Sequence, residues 1–131
     1  MTKPVYGSTN PAPEGPDQDG ITRYGSVIEL RPEKEAYYRE LHAEVWPAVQ
    51  AMIAKCDIKN YNIFFTEIQG KKYLFSFFEY HGKDLAAAGD IMAADPETRR
   101  WWAETDPCQQ RMPNTPEGAN WFDMERVFFQ K

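Results

Sequence analysis

Hydrophobic residues gather in four short stretches of the chain and recur at roughly helical spacing in two longer ones. The short stretches are rich in β-branched and aromatic residues, which favours strands. The predicted strands are residues 22–30, 58–68, 72–80 and 121–129. After Pro32 the spacing predicts a helix, and Pro47 should break it near residues 44–46, because proline removes a backbone hydrogen bond and clashes with the preceding turn.

The second helical stretch, residues 83–105, contains a boundary of its own. Asp95 suits the N-cap of a helix and Pro96 its first position, which predicts two short helices. Residues 69–71 predict a hairpin turn, and residues 106–118, with three Pro and one Gly, predict a loop. The order strand, helix, strand, strand, helix, strand predicts an α+β fold of the ferredoxin-like, split βαβ type, with helices on one face of an antiparallel sheet.

Neighbouring phenylalanines in three predicted strands bear on the oligomeric state. Adjacent residues of a strand point to opposite faces, so the pairs at 64–65, 77–78 and 128–129 place apolar rings on both faces of the sheet. Helices cover only one of these faces. We therefore expect the other face to pack against the same face of a second copy, giving a homodimer of the dimeric α/β barrel type.

Composition separates a tail from a domain. Four Pro and three Gly predict a flexible tail over residues 1–20, with a partner-binding proline-rich arm as the alternative. The remaining residues, 21–131, fit a single domain. They contain nearly all of the aromatic residues, which make up 15% of the chain. A domain of this size has more aromatic rings than one small core needs, so many of them should line a pocket or an interface.

Charge and apolar runs exclude several classes of protein. The net charge is −5 and no block of Lys or Arg occurs, which argues against a nucleic-acid partner. No run reaches the ~18 apolar residues of a membrane span, and the first 20 residues lack the apolar segment of a signal peptide. We therefore expect a cytoplasmic protein with neither a nucleic-acid nor a membrane partner.

The sequence lacks the motifs of metal and cofactor sites. Glu79, His81 and Asp84 are close together, but their spacing matches no metal-ligand template. Cys56 and Cys108 have no CxxC spacing and are interpreted as reduced, partly buried thiols. With no glycine-rich phosphate loop, no P-loop and no GxSxG elbow, the sequence gives no support to nucleotide or acyl-transfer chemistry.

His42 is the main candidate for chemistry. It follows Tyr38 by four residues on the predicted helix, so the two rings share one face, and Trp46 continues the same line. This face borders the buried stripe, where a cleft between helix and sheet can open. One interpretation is a histidine packed and hydrogen-bonded at the boundary between helix and sheet. The other is a neutral imidazole that transfers protons near pH 7.

Trp101 and Trp102 form the second unusual feature. Adjacent residues of a helix point about 100° apart, so the two rings cannot both face one core. One ring can pack while the other lines a pocket, where an aromatic surface suits the apolar face of a sugar. Two tryptophans that only anchor a helix are the alternative.

Several motifs taken together resemble the L-rhamnose mutarotase family. They are Tyr38 and His42 in YRELHAEVWP, Asn60, Tyr61 and Ile63 in NYNIFF, Arg100, Trp101 and Trp102 in RRWW, Met112 and Pro113 with the loop to Pro116, and the closing segment 125–129. Their order and spacing hold over residues 22–129. The resemblance implies a homodimeric, ferredoxin-like isomerase that interconverts the α and β anomers of L-rhamnose, a 6-deoxyhexose, without a metal or an organic cofactor.

The resemblance also implies roles for individual residues. By position, His42 matches the catalytic proton donor of the family, and Tyr38, Tyr61, Trp101 and Trp102 match its sugar-binding residues. The chemistry agrees, because anomerisation opens a hemiacetal and closes it again. One histidine can give a proton to the ring oxygen on opening and take it back on closing.

Three alternatives remain open at the level of the sequence. A mutarotase for another 6-deoxyhexose, such as L-fucose, differs only in how its pocket reads the orientation of a hydroxyl group. A cofactor-independent monooxygenase uses the same fold with an aromatic pocket, and a non-catalytic protein can bind the sugar without accelerating anomer exchange. The loop over residues 106–120 departs from the family pattern and bears on specificity, because it can close over the sugar.

Overall fold

The computed structural model describes residues 7, 9 and 15–130 of the 131-residue chain. Strands and α-helices follow one another along this part of the chain. They are β1 (Thr22–Leu30), α1 (Glu35–Ala43), α2 (Pro47–Lys55), β2 (Ile58–Ile68), β3 (Lys71–Tyr80), α3 (Leu85–Ala94), α4 (Pro96–Thr105), β4 (Gln109–Gln110) and β5 (Phe122–Asp123). Short 3₁₀ turns at Pro32–Lys34 and Asp106–Cys108 precede α1 and follow α4.

The sheet has the strand order of the ferredoxin-like fold. β2 lies at one edge, β3 and β1 follow, and β4 and β5 share the position on the other side of β1. All of these pairs are antiparallel. The prediction of an α+β, ferredoxin-like fold is confirmed.

Local sequence signals account for most element boundaries. β1 and β2 have the predicted bounds, and β3 begins one residue early, at Lys71, because the hairpin turn needs only Gln69 and Gly70. These two residues have φ values of 52° and 80°, as a two-residue hairpin turn requires. Asp95 caps α4 by accepting a hydrogen bond from the Thr98 backbone N–H at 2.9 Å, which confirms the predicted division into two short helices.

The break between α1 and α2 follows from Pro47. A residue before proline is disfavoured in the helical region, and Trp46 accordingly has an extended backbone, with φ −57° and ψ 133°. α1 therefore ends at Ala43, and α2 starts at Pro47, where the missing backbone N–H costs nothing because a first helical residue has no intrahelical partner. The predicted interruption at residues 44–46 is confirmed.

The edge beside β1 differs from the sequence prediction. Of the predicted strand 121–129, only Phe122–Asp123 pairs with β1, and the predicted loop 106–118 contains a second short strand, Gln109–Gln110. The two segments use different parts of the same edge of β1, so neither can extend along its whole length. The prediction of a long last strand is therefore wrong, as is that of a loop without strand structure.

A cluster of charged side chains holds the residues that follow β5. Arg126 donates two hydrogen bonds to the buried carboxylate of Asp17, both 2.8 Å long, and Arg23 donates to the same carboxylate at 2.9 Å. The hydrogen bond from Arg126 is the main reason why the pKa of Asp17 lies below its usual value. Both guanidinium groups also lie over the ring of Phe129, 4.5 and 5.1 Å from its centre. The cluster ties the chain after β5 to β1 and to residues 15–21.

Most of the predicted tail, residues 1–20, lies outside the described residues. The division into a tail and a domain stays a prediction. Within the described part, Asp17 is joined to the domain by the charged cluster, and its backbone N–H donates to the Ile21 carbonyl at 2.8 Å.

Helices α1, α2 and α3 pack on one face of the sheet through two apolar clusters, and α4 contacts α2 and α3. In the first, Ile28, Leu30 and Leu74 meet Tyr38 of α1 and Cys108. The second joins the sheet to α3 and the end of α2, and its buried members are Cys56, Ile58, Tyr80 and Ala88. Between the clusters, the buried residues Ser26 and Ser76 lie opposite each other on β1 and β3. This polar pair interrupts the apolar packing along the middle of the sheet.

The other face of the sheet carries a row of apolar side chains. By register, the row runs across four strands through Phe122, Val27, Phe75 and Phe64. Phe64, on the edge strand β2, is 61% exposed.

Two of the three phenylalanine pairs divide between the faces as predicted. Phe65 and Phe78 pack with the apolar clusters on the helix side, while Phe64 and Phe77 lie on the other side. The pair at 128–129 follows β5, so no strand orients its two rings.

No helix in the described part of the chain is long and apolar enough to cross a membrane. The expected cytoplasmic location stays a prediction.

Substituting Ile28 tests the importance of β1 for stability. Ile28 is 1% exposed and lies in the first apolar cluster, so Ile28→Ala should lower the free energy of unfolding by about 2–5 kcal/mol and Ile28→Val by about 1 kcal/mol. The matched control is Ile91→Ala on α3, where the side chain is 50% exposed and the change should stay within ~0.5 kcal/mol. Urea unfolding measures all three, and equal losses at positions 28 and 91 would contradict the packing described above.

Candidate active site

A cavity of about 310 Å³ lies between α1, β2 and α4, with residues that follow α4 on its remaining side. Its volume is at the lower end of the range of ligand pockets, ~300–1,000 Å³. All five residues that the sequence assigns to a sugar site line this cavity. They are Tyr38, His42, Tyr61, Trp101 and Trp102.

Tyr38 and His42 form one unit on the last two turns of α1. Their rings stack with centroids 4.1 Å apart and an angle of 27° between the planes. The Nδ1 atom of His42 lies 2.9 Å from the backbone carbonyl oxygen of Tyr38. Because a carbonyl only accepts, Nδ1 must carry the proton and donate it, which leaves Nε2 as the unprotonated nitrogen of the neutral ring.

The environment of His42 favours its neutral form. The side chain is half-buried, and desolvation is the main cause that lowers its pKa below 6.5, while the hydrogen bond to the Tyr38 carbonyl acts in the opposite direction. The position at the C-terminal end of α1 also favours the cation, but it does not outweigh desolvation. Among the residues that the structure describes, Nε2 has no hydrogen-bond partner, so this lone pair is free for a ligand.

The phenol of Tyr38 is held in its protonated form. The residue is 4% exposed, and desolvation is the main cause that raises the pKa of its hydroxyl far above 10. The side chain of Gln109 opposes the shift in part. Tyr38 can therefore donate or accept a hydrogen bond in the cavity without becoming an anion near neutral pH.

A β-bulge directs Tyr61 into the cavity. The register of β2 on β3 shifts between Lys59 and Asn62, so that two residues of β2 lie opposite one residue of β3. Asn60 has φ 50°, a left-handed conformation that asparagine tolerates better than most residues. Because of the extra residue, Tyr61 faces the helices, and its ring centroid lies 5.5 Å from that of Phe78.

Tyr61 lines the cavity and keeps its hydroxyl protonated. The residue as a whole is 44% exposed. Desolvation by the surrounding protein raises the pKa of its hydroxyl. Like Tyr38, Tyr61 therefore contributes a neutral hydroxyl group.

The two adjacent tryptophans of α4 differ in their surroundings. Trp101 is buried and makes edge-to-face contacts with His42 and Trp46, at centroid distances of 5.2 and 5.1 Å. Trp102 is half-buried and lines the cavity beside Thr105 and Asp106. The rings thus divide as the sequence suggests, one packed and one at the cavity, although Trp101 also forms part of the wall.

Sequence analysis expected the loop over residues 106–120 near the sugar but named no residue of the polar side of the cavity. This side comes from the end of α4 and from the loop that follows, and its members are Thr105, Asp106, Gln109, Asn120 and Trp121. A signal for two of them was present, because Thr105 and Asp106 follow the two tryptophans by four residues and therefore share their helix faces. Asn120 and Trp121 could not be found in this way, since only tertiary structure brings their loop to the cavity.

A larger cleft of about 1300 Å³ adjoins this cavity. It runs between β2 and the α1–α2 pair, and its walls include Val49, Ile53, Ile58 and Phe65. Five residues line both spaces: Tyr38, His42, Tyr61, Ile63 and Trp101. The polar groups of the loop after α4 line only the smaller space, so that space combines hydrogen-bonding groups with aromatic rings.

The remaining candidates from the sequence have structural roles in this part of the chain. Glu79 pairs with His81 at 3.2 Å and with Arg23 at 3.2 Å, whereas Asp84 caps α3 by accepting from the Ala87 backbone N–H. Cys56 and Cys108 are free and buried. Among the described residues, no group of three or more His, Cys, Asp or Glu side chains could hold a metal ion. Independence of metals and cofactors stays a prediction.

The fold and the cavity together define the class of protein to which this chain belongs. A ferredoxin-like α+β domain surrounds a small cavity with one histidine, two neutral tyrosines and two tryptophans. The family model of L-rhamnose mutarotase matches residues 23–130. The chain belongs to the L-rhamnose mutarotase family, whose members are isomerases that interconvert anomers.

Individual relatives agree with this membership. The chain is 29% identical over 100 residues to the L-rhamnose mutarotase of Tolumonas auensis, and the aligned region covers 76% of this chain and 88% of the relative. It is 26% identical over 108 residues to that of Oceanobacillus iheyensis, covering 82% and 97%. The crystal structure of an L-rhamnose mutarotase from Formosa agariphila has a TM-score of 0.61 and 22% identity, covering 83% of this chain and 98% of that one. The structural match supports the fold.

The protonation state of His42 can be measured directly. Its NMR titration should have a midpoint below pH 6.5, and its neutral ring should carry the proton on Nδ1, visible in the ¹⁵N shifts. Between the pKa of His42 in the folded protein and its higher pKa of about 6.5 in the unfolded chain, the unfolded chain binds more protons. The contribution of His42 to the free energy of unfolding is therefore complete above about pH 6.5 and is lost as the pH falls through the pKa of the folded protein.

His81→Gln assigns the two imidazole signals by removing the other histidine. A midpoint above 6.5, or a neutral ring protonated on Nε2, would contradict the environment described for His42.

Proposed function

We propose that this protein interconverts the α and β anomers of L-rhamnose and that His42 transfers the protons. The observation that carries the proposal is the free Nε2 of His42 in a cavity that joins aromatic rings to neutral hydroxyl and amide groups. Family membership supplies the substrate. The five residues that the sequence singles out, Tyr38, His42, Tyr61, Trp101 and Trp102, all line this cavity.

In the proposed reaction, His42 acts on the ring oxygen of the sugar. The imidazolium gives its Nε2 proton to the ring oxygen as the bond from that oxygen to the anomeric carbon breaks, while the anomeric hydroxyl gives its proton to a second acceptor in the cavity and becomes the aldehyde oxygen. After rotation about the bond between C1 and C2, the neutral imidazole takes the proton back as the ring closes on the other face. Desolvation makes this imidazolium a stronger acid than an exposed one, which favours its release of the proton.

The aromatic residues are proposed to bind the sugar. Trp101 and Trp102 offer apolar surfaces to its C–H groups, and Tyr38 and Tyr61 offer hydroxyl groups that remain protonated near neutral pH. Tyr38 also fixes the His42 ring by stacking and by its carbonyl. No metal ion or organic cofactor takes part in this scheme.

We also propose that the protein is a homodimer that packs sheet against sheet. The row of Phe122, Val27, Phe75 and Phe64 is apolar, and although Val27 is buried, Phe64, Ile68 and Met124 on this face are 61%, 48% and 40% exposed. A contiguous apolar surface on a protein of this size favours association. A two-fold axis would bring the row onto its own copy.

Anomer exchange tests the function. Saturation-transfer NMR on equilibrated L-rhamnose should show faster exchange with the protein, and His42→Ala should reduce the protein's contribution about 10²–10⁴-fold because the proton-transfer group is lost. His81→Ala is the control, since His81 lies outside both cavities.

Parallel measurements separate the alternatives. Faster exchange with L-fucose than with L-rhamnose would make L-fucose the preferred substrate. Binding of L-rhamnose without accelerated exchange would indicate a non-catalytic sugar-binding protein. Oxygen uptake with phenols would indicate a monooxygenase. EDTA should leave the exchange rate unchanged. Undiminished exchange in His42→Ala would remove His42 from the mechanism.

Light scattering after size exclusion tests the dimer. The expected mass is twice the 15.2 kDa of one chain, and Phe64→Glu should shift the protein toward the monomer because it places a charge in the apolar row. Ile91→Glu is the control, because Ile91 is an apolar residue on the helix side that is 50% exposed, against 61% for Phe64. A monomeric wild-type protein would rule out the proposed dimer.

A further inference from the structure

Asp106 occupies a distinctive place in the small cavity. It is the one carboxylate among the residues that line the space, and it follows α4 directly, four residues after Trp102. Its backbone N–H caps α4 by donating to the Trp102 carbonyl, and this hydrogen bond holds the Asp106 backbone at the end of the helix. Within the described part of the chain, its carboxylate has no hydrogen bond and no ion pair. Two free proton-transfer groups, His42 and Asp106, therefore line the same cavity.

Anomerisation needs two such groups. Ring opening removes a proton from the anomeric hydroxyl and adds one to the ring oxygen, and closing reverses both transfers. With His42 assigned to the ring oxygen, a base for the anomeric hydroxyl is still required. The hydroxyl groups of Tyr38 and Tyr61 are poor bases for this purpose, because a protonated phenol accepts a proton only weakly.

We propose that Asp106 is the second catalytic residue and exchanges a proton with the anomeric hydroxyl of the sugar. As His42 gives its Nε2 proton to the ring oxygen, the Asp106 carboxylate takes the hydroxyl proton, and the electron pair of the broken O–H bond forms the carbonyl while the bond to the ring oxygen breaks. The products are the open-chain aldehyde, a neutral imidazole and a neutral carboxyl group. On closing, the imidazole takes the ring-oxygen proton, and the carboxyl group returns its proton to the new anomeric hydroxyl.

The surroundings of Asp106 suit this role. The other titratable groups of the cavity are Tyr38 and His42 from α1 and Tyr61 from β2, and no lysine or arginine lines the space. On its own segment, the nearby Glu104 is engaged by the Tyr37 hydroxyl. Desolvation raises the pKa of Asp106, which makes its carboxylate a stronger base than a fully solvated one. The residue stays solvent-accessible, so a substrate can reach it.

The proposal rests on the proposed mutarotase function and makes a separate prediction about pH. The active form of the pair carries one proton, so kcat/KM should fall at high pH as His42 loses its proton and at low pH as Asp106 gains one. Because the pKa of Asp106 is raised and that of His42 is lowered, both limbs should lie between the ordinary values of the two groups, about 3.9 and 6.5.

Asp106→Asn tests the assignment with little change in shape. Anomer exchange of L-rhamnose should fall about 10²-fold or more, and the low-pH limb should disappear, because the amide cannot take up a proton. Asp106→Glu should keep that limb and recover part of the rate. Asp90→Asn, which removes an equal charge from the exposed side of α3, should leave both rate and profile unchanged.

The outcomes separate the two proposals. If the wild-type protein does not accelerate exchange, the proposed function fails. If the wild type is active but Asp106→Asn keeps both its rate and its low-pH limb, Asp106 is not the second group. If Asp106→Asn loses L-rhamnose affinity by NMR titration while kcat and the limb persist, the residue only binds the sugar, and the proposal is again overturned.

Discussion

The geometry of the site depends on one backbone constraint, the proline at position 47. Because Pro47 holds Trp46 out of the helical region, α1 ends at Ala43, and His42 lies in its final turn. The extended backbone of Trp46 also brings its ring against Trp101, which in turn contacts His42. An unbroken helix would continue past the cleft between α1 and β2. The break therefore gives His42 its neighbours as well as its access to the cavity.

A second backbone irregularity supplies the opposite wall. Without the bulge at Asn60, strict alternation along β2 would direct Tyr61 away from the helices, and the three apolar residues after it would change faces in turn. The left-handed conformation of Asn60 thus serves two purposes. It directs Tyr61 to the cavity and keeps Ile63 and Phe65 on the apolar cluster of the helix side. Its side chain donates to Glu79 at 2.7 Å, which ties the bulge to β3.

Much of this arrangement could be predicted from the sequence, for physical reasons that are local. Proline, the N-cap aspartate at position 95 and the Gln69–Gly70 turn act on their immediate neighbours, so the elements they bound were found to within a residue. The i, i+4 relation of Tyr38 and His42 is likewise local, and the resemblance to the L-rhamnose mutarotase family assigned the remaining aromatic residues to the sugar site. The edge beside β1 and the polar wall depend on contacts between distant residues. Gln109 lines the same cavity as Tyr38 and Phe129 lies under Arg23, and no local pattern carries that information.

The two walls of the cavity also explain why burial and reactivity do not conflict here. Aromatic rings from α1 and α4 remove water from His42 and so lower the pKa of its imidazole, while its Nδ1–H bond to a backbone carbonyl leaves Nε2 as the unprotonated nitrogen of the neutral ring. The end of α4 and the segments that follow it contribute hydroxyl, carboxyl and amide groups, and no lysine or arginine lines the cavity to neutralise Asp106. Desolvation lowers the pKa of His42 and raises that of Asp106, so the two pKa values approach each other. In the proposed reaction, proton transfer between two such groups needs little energy in either direction, which suits a step that must run both ways through one open-chain intermediate.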